Sequence, residues 1–189
     1  MPQLPFDERI ERAGHLIVLA QRFYDVWWLY EGADTRPSIL AAMNRFPEFF
    51  RFDSHAQFVA LVTHLASLFE SRSDTINFSA LISEAEVGQL IPVTALAAAK
   101  RKLDQVSNLR PKLTILRNNS FAHRSASLSY DNSFTRAAIT PFQLRDLIDA
   151  GFSIINTLLT ERGLQECFRT RSTLEHTRGM LRALHEEHS

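Results

Sequence analysis

The chain has 189 residues, with 45% hydrophobic and 22% charged side chains; this is enough to bury one sizeable core and is far from the composition of a disordered chain. Its 21 Lys and Arg balance 21 Asp and Glu, which excludes a protein held to long nucleic acid by an overall basic excess, so any such contact has to rest on a local patch. A single cysteine, Cys167, cannot form an intrachain disulfide, and the start Met-Pro-Gln-Leu-Pro and the charge-broken apolar runs predict neither export nor a membrane span; the expected location is the cytoplasm.

From Asp7, a candidate N-cap, to Tyr30, the residues Ala13, Leu16, Ala20, Phe23, Trp27 and Tyr30 recur at steps of three and four, which predicts an amphipathic helix widened by Ile10 and Ile17. Trp27 and Trp28 have rings that could stack on bases, but their helical spacing with Phe23 assigns them to the core. Between Pro37 and Phe52 the punctuation by Pro37 and Pro47 predicts one or two short helices, with Phe46, Phe49, Phe50 and Phe52 plugging the bundle. Ser54 is placed to cap a helix whose core face is Phe58, Leu61, Val62, Leu65, Leu68 and Phe69. That helix ends at the polar run 71–75, and a short helix around Ser79 to Glu86 follows.

After Pro92, Leu96, Ala99, Leu103 and Val106 repeat at heptad spacing, and Leu109, Leu113 and Leu116 carry the line past Pro111, which is expected to kink or restart the helix. Ser125 to Thr140 has four serines in its first part and no helical period, so it reads as a long loop with a brief hairpin. Thr140-Pro141-Phe142-Gln143 is a capping box with proline at the first helical position, opening a helix faced by Leu144, Leu147, Ile148, Phe152, Ile155 and Leu159. A last helix runs from Ser172 to about Glu187 on Leu174, Leu181 and Leu184. The chain thus reads as one all-α domain over 1–189, with a bundle core over about 7–165 and a C-terminal helix over about 172–187.

Chemistry concentrates in Arg117-Asn118-Asn119-Ser120-Phe121-Ala122-His123-Arg124, at the end of an apolar helix. The buried line Leu109, Leu113, Leu116 runs on through Ser120 to His123. Arg117 precedes His123 by six positions, which on one straight helix means about 120° of rotation and about 9 Å of rise, so a single unbroken helix cannot focus both on one atom. Either the helix ends between them or a second copy supplies one partner across a two-fold axis. Histidine exchanges protons near neutrality and arginine forks onto phosphate, a pair suited to phosphodiester cleavage without a metal. Structural roles for the same residues are an ion pair or helix C-terminal cap for Arg117 and a hydrogen-bonded histidine in a core or interface for His123. The terminal His185-Glu186-Glu187-His188 lacks the further convergent ligands of a metal site, so neither metal nor cofactor is expected.

Arg117-Asn118 followed by Ala122-His123-Arg124, five residues separating the arginine from the histidine, resembles the R-x(4-6)-H signature of the HEPN superfamily. With Trp27, Trp28 and Tyr30, the Phe49-Phe50-Arg51 stretch and His64 to Glu70, the chain looks most similar to AbiU-type abortive-infection proteins over roughly residues 10–165. Asn119 stands where that pattern often has a basic residue, and Ser125 where it often has an acidic one. The resemblance implies an antiparallel helical bundle of the HEPN type with additional short helices, homodimeric through the motif helix. It also implies a metal-independent ribonuclease that leaves 2′,3′-cyclic phosphate ends, with RNA as substrate. Arg117 and His123 would be the catalytic pair, and Asn118, Asn119 and Arg124 would bind substrate. A protein antitoxin or regulator is the further partner implied, and no membrane is. The alternative is a non-catalytic helical dimerisation or interaction module in a defence system.

Overall fold

The computed structural model describes residues 4–72, 75–122 and 130–186. Its helices, in chain order, are α1 (Phe6–Glu31), α2 (Leu40–Met43), α3 (Pro47–Phe69), α4 (Phe78–Val87) and α5 (Val93–Gln105). They continue with α6 (Leu109–Ala122), α7 (Tyr130–Ala137), α8 (Pro141–Glu161) and α9 (Ser172–Glu186), and a single 3₁₀ turn, Arg36–Ser38, joins α1 to α2. Among the described residues there is no strand, and the fold is an all-α bundle.

Helix α1 is the element around which the others pack, against α3 and α8 on its flanks, α4 near its start and α9 near its end. Its sequence allows this because apolar residues occupy more than one stripe. Ile10, Ala13, Ile17, Ala20, Tyr24 and Trp27 enter the main core, whereas Val26, Leu29 and Tyr30 turn to a second, smaller cluster with Ala42, Phe50 and Leu181. The α1–α8 contact is close because it has a glycine at its centre: a Cβ on Gly151 would lie 2.5 Å from Ile17 Cδ1. Gly14 does the same for the chain after α8, since a Cβ there would stand 2.4 Å from Cys167 Sγ.

Several local expectations hold in atomic detail. The capping box of α8 is complete, with the Gln143 N–H donating to Thr140 Oγ1 (3.2 Å) and the Thr140 N–H to Gln143 Oε1 (3.1 Å). Asn77, to which the sequence attached no expectation, caps α4 by accepting from the Ala80 N–H at 2.9 Å. Pro111 sits in the first turn of α6, after a break at residues 106–108, where its missing N–H costs no helical hydrogen bond.

Other expectations give way to tertiary packing. Pro5 occupies the N-cap position of α1, and Asp7 instead lies in the first turn, where it accepts a two-pronged contact from Arg162 at the end of α8 (2.7 and 3.0 Å). Helix α3 starts at Pro47, so Ser54 is an interior residue whose hydroxyl donates to Glu31 Oε1 at 2.6 Å. Phe46 precedes the helix, and once residues 47–53 are helical, successive side chains fan out by about 100° each, so Phe49, Phe50 and Phe52 cannot all face inward. Phe50 does, at 2% exposure, while Phe46, Phe49 and Phe52 stand at 46, 53 and 73%. The expected loop over 125–140 contains α7, whose Phe134 ring packs on Trp27 and Phe58 at 5.8 and 5.5 Å. Residues 125–129 of that loop lie outside the described residues.

Gly151→Ala is expected to lower stability by about 1–3 kcal/mol, although alanine is the better helix former, because the added methyl must displace Ile17 in a filled core. Chemical denaturation would show this, and a stabilised variant would refute the close contact. For Asp7 the Arg162 hydrogen bonds, opposed by burial, hold the carboxyl below its ordinary value. Its stabilising contribution is therefore complete above the unfolded-state value of a carboxylate and is lost as pH falls through the lower folded value. Asp7→Asn should slightly lower the melting temperature at neutral pH and leave it unchanged at about pH 2. Equal losses at both pH values would show that charge is not the cause.

Candidate active site

Helix α6 is amphipathic, with Leu109, Leu113 and Leu116 buried against the bundle and Pro111, Thr114, Ile115 and Asn118 exposed. Its start is fastened to the end of α3, where the Arg110 Nε–H donates to the Phe69 carbonyl at 2.8 Å, one of the carbonyls a helix end leaves without an internal partner. Seven residues further on, Arg117 lies between buried and exposed faces, its side chain 35% accessible. Its guanidinium faces Glu70, the residue that closes α3, with Arg117 Nη1 3.5 Å from Glu70 Oε2. Asn118 Oδ1 accepts from Arg117 Nε and Nη2 at 3.4 and 3.5 Å.

These separations matter. A tight charge-assisted hydrogen bond closes to about 2.7–2.9 Å, so Arg117 is oriented by its neighbours without being saturated by them. A guanidinium with five N–H donors in this state can exchange part of its contact for a phosphate oxygen while Glu70 keeps it aimed. Helix α6 runs unbroken past Arg117 to Ala122, so the C-terminal-cap reading of Arg117 does not hold, whereas the ion-pair reading does. The structure thus brings Arg117 and Asn118 together with Glu70. The Asn119 side chain, His123 and Arg124 lie outside the described residues.

Glu70 belongs to the stretch that carried the sequence resemblance, yet no role attached to it there, because nothing in its spacing links it to Arg117 across 47 positions. His64, in the same stretch, has Nδ1 2.6 Å from the Ala60 carbonyl and its ring 5.4 Å from Phe23. A second grouping also escaped the sequence. Arg145 of α8 stands 5.3 Å from the Tyr24 ring, 5.7 Å from Phe142 and 6.0 Å from Trp28, with Tyr24 and Trp28 stacked almost parallel. Burial pushes the Tyr24 hydroxyl up and the Arg145 charge opposes this. The signal was present as Tyr24 and Trp28 one turn apart, with Phe142 and Arg145 one turn apart. Trp27 is a core residue, as its spacing implied.

A protein-family model described as AbiU2, of the HEPN class, matches residues 4–162, which takes in α1 to α8 and all of the Arg117 to Arg124 stretch. The chain belongs to the HEPN AbiU2 family. It is therefore an abortive-infection, defence-related HEPN protein. Comparison with curated proteins and with solved structures finds no match. Within the AbiU2 segment no described helix is long and apolar enough to cross a membrane, and among the described residues no three His, Cys, Asp or Glu side chains are grouped as a metal site would need. Helix α9 lies beyond the matched residues.

The two contacts between α3 and α6 should differ in energy. Arg110→Ala leaves a helix-end carbonyl without its partner and is expected to cost about 1–2 kcal/mol. Glu70→Ala breaks a long, partly exposed ion pair and should cost less than about 1 kcal/mol. Urea unfolding of both variants measures the difference; a larger loss for Glu70→Ala would mean that the Arg117 contact is a structural tie and not a loosely held fork.

Proposed function

We propose that this AbiU2-family protein is a metal-independent endoribonuclease, an RNA-targeting toxin of an abortive-infection or toxin–antitoxin type system that acts as a homodimer in the cytoplasm. The observation that carries the reading is the state of Arg117: accessible to solvent, aimed by Glu70 and Asn118 through contacts of 3.4–3.5 Å, and six residues before a histidine. In this reaction His123 accepts the proton of a ribose 2′-hydroxyl as its oxygen attacks the adjacent phosphorus. Arg117 forks onto the non-bridging oxygens and stabilises the negative charge that builds on the phosphorane. The bond from phosphorus to the 5′-oxygen breaks, that oxygen takes up a proton, and the products are a 2′,3′-cyclic phosphate and a 5′-hydroxyl. Asn118, Asn119 and Arg124 grip the phosphate backbone on either side.

On one continuous straight helix Arg117 and His123 would be separated by about 120° and about 9 Å, which favours a composite site in which two copies of α6 face each other. The lone thiol of Cys167 fits a reducing compartment. A protein antitoxin or regulator would act by covering the same helix. The ion pair to Glu70 favours a second reading, in which Arg117 is structural and the protein is a non-catalytic helical dimerisation or interaction module.

Incubation with total RNA in EDTA separates the two. Cleavage with cyclic-phosphate ends that falls by about a hundredfold or more in Arg117→Ala and in His123→Ala, with dimers retained by both variants, is the expected outcome. Intact RNA at high protein concentration, or undiminished cleavage by the variants, would sink the catalytic assignment; a strictly monomeric protein would sink the composite site.

A further inference from the structure

The segment after α8 builds something that the family match over 4–162 does not include. It leaves the bundle at Gly163 and is fastened back by two side-chain amides, each pairing with one residue's backbone. Asn156 donates to the Cys167 carbonyl at 3.0 Å and accepts from its N–H at 2.9 Å; Gln21 does the same for Thr170 at 3.2 and 3.3 Å. These pairs deliver α9 to the far end of α1, where Leu181 enters the second apolar cluster and the Arg45 guanidinium caps the Leu184 carbonyl. Between α9 and the α1–α2 connection this leaves a groove of about 420 Å³.

The groove is chemically divided. Its floor is aliphatic, with half-buried Ile39 over Leu29, Ala42 and Leu181, which are themselves only 2–3% exposed. Arg178 and Arg182, one turn apart on α9, also line it, and among the described residues neither guanidinium has an ion pair or hydrogen bond. Asp34 and Ser38 come from the α1–α2 connection, with the Ser38 hydroxyl already donating to the Thr35 carbonyl at 2.7 Å. Two unengaged guanidiniums at adjacent turns form a fork for phosphate. An aliphatic strip offers contact to a flat apolar ring, and an exposed carboxylate accepts hydrogen bonds from a sugar diol. The volume is that of a small-molecule site.

We propose that this groove binds a nucleotide, with its phosphate on Arg178 and Arg182, its base against Ile39 at the aliphatic floor and its ribose hydroxyls donating to Asp34. An inorganic anion would leave the aliphatic strip uncovered, and an apolar ligand would leave two cations unanswered, so the pairing of the two surfaces selects a molecule that has both. The site is separate from Arg117 and does not depend on the ribonuclease reading.

Calorimetric titration of the full chain with the four nucleoside 5′-monophosphates, adenosine, inorganic phosphate and single-stranded RNA oligonucleotides tests this. At least one monophosphate should saturate at one per chain. Arg178→Gln and Arg182→Gln, at exposed positions, should each weaken it about tenfold or more with the melting temperature of the protein unchanged. Asp34→Asn should abolish the preference for that monophosphate over its 2′-deoxy counterpart, and Arg117→Ala should bind like the parent protein. The proposal is overturned if no monophosphate binds, if inorganic phosphate binds as tightly, or if only RNA saturates the chain. It is equally overturned if binding survives both arginine substitutions or vanishes in Arg117→Ala.

Discussion

The packing of α1 against α8 at Gly151 is the constraint on which the remaining geometry depends. Because Ile17 occupies the space a Cβ would fill, the two longest-range elements of the core meet at backbone distance, and the helices on either side take their positions from them. Helix α3 then lies along α1, and α6 along α3, so the candidate site sits two packing steps from the central helix. The same long helix extends past the main core to nucleate a second cluster, which is what α2 and α9 cover. A close contact of this kind is intolerant of added volume but specific about register, since neither helix can slide without driving a side chain into the other's backbone.

Around Arg117 the physical theme is restraint without saturation. Arg110 makes a short hydrogen bond to Phe69 and sets α6 against α3; Arg117, two turns later, meets Glu70 and Asn118 only at 3.4–3.5 Å. Among the described residues other ion pairs behave differently: those of Arg12, Arg36 and Arg162 close to 2.6–2.7 Å. A cation held in place but not fully used is the electrostatic condition for recognising a phosphate, because little existing bonding has to be given up when the ligand arrives.

How far the sequence could be read depended on whether a signal was local. The Thr140 to Gln143 box and the placing of Pro111 are matters of adjacent residues, and both lie where the chain order put them. The Leu96, Ala99, Leu103 and Val106 line and the α8 face are single amphipathic stripes, and they are buried accordingly. The phenylalanines at 46, 49 and 52 are exposed where the sequence predicts core, because hydrophobicity alone does not say which residue of a cluster turns inward. Helix α7 lies where a loop was expected: the spacing of Tyr130, Phe134 and Ala137 is helical but only two turns long and set among serines and a Tyr-Asp-Asn turn signal, and Phe134 packs on Trp27 and Phe58. At the candidate site, Arg117 and Asn118 were legible from the motif, while Glu70 was not, its contact being one between distant segments.

By itself, then, the order of amino acids determined an all-α chain, the faces of its regular helices, the capping box that opens α8 and membership in the HEPN AbiU2 family, since each of these rests on spacing along the chain. Tertiary structure alone decided that Asp7 pairs with Arg162, that Glu70 aims Arg117, that Arg145 is caged by rings from two helices and that α9 closes a groove on α1. Those are contacts between residues many turns apart. They arise only once burial of the apolar stripes has fixed which helices are neighbours, and no pattern within one helix contains that information.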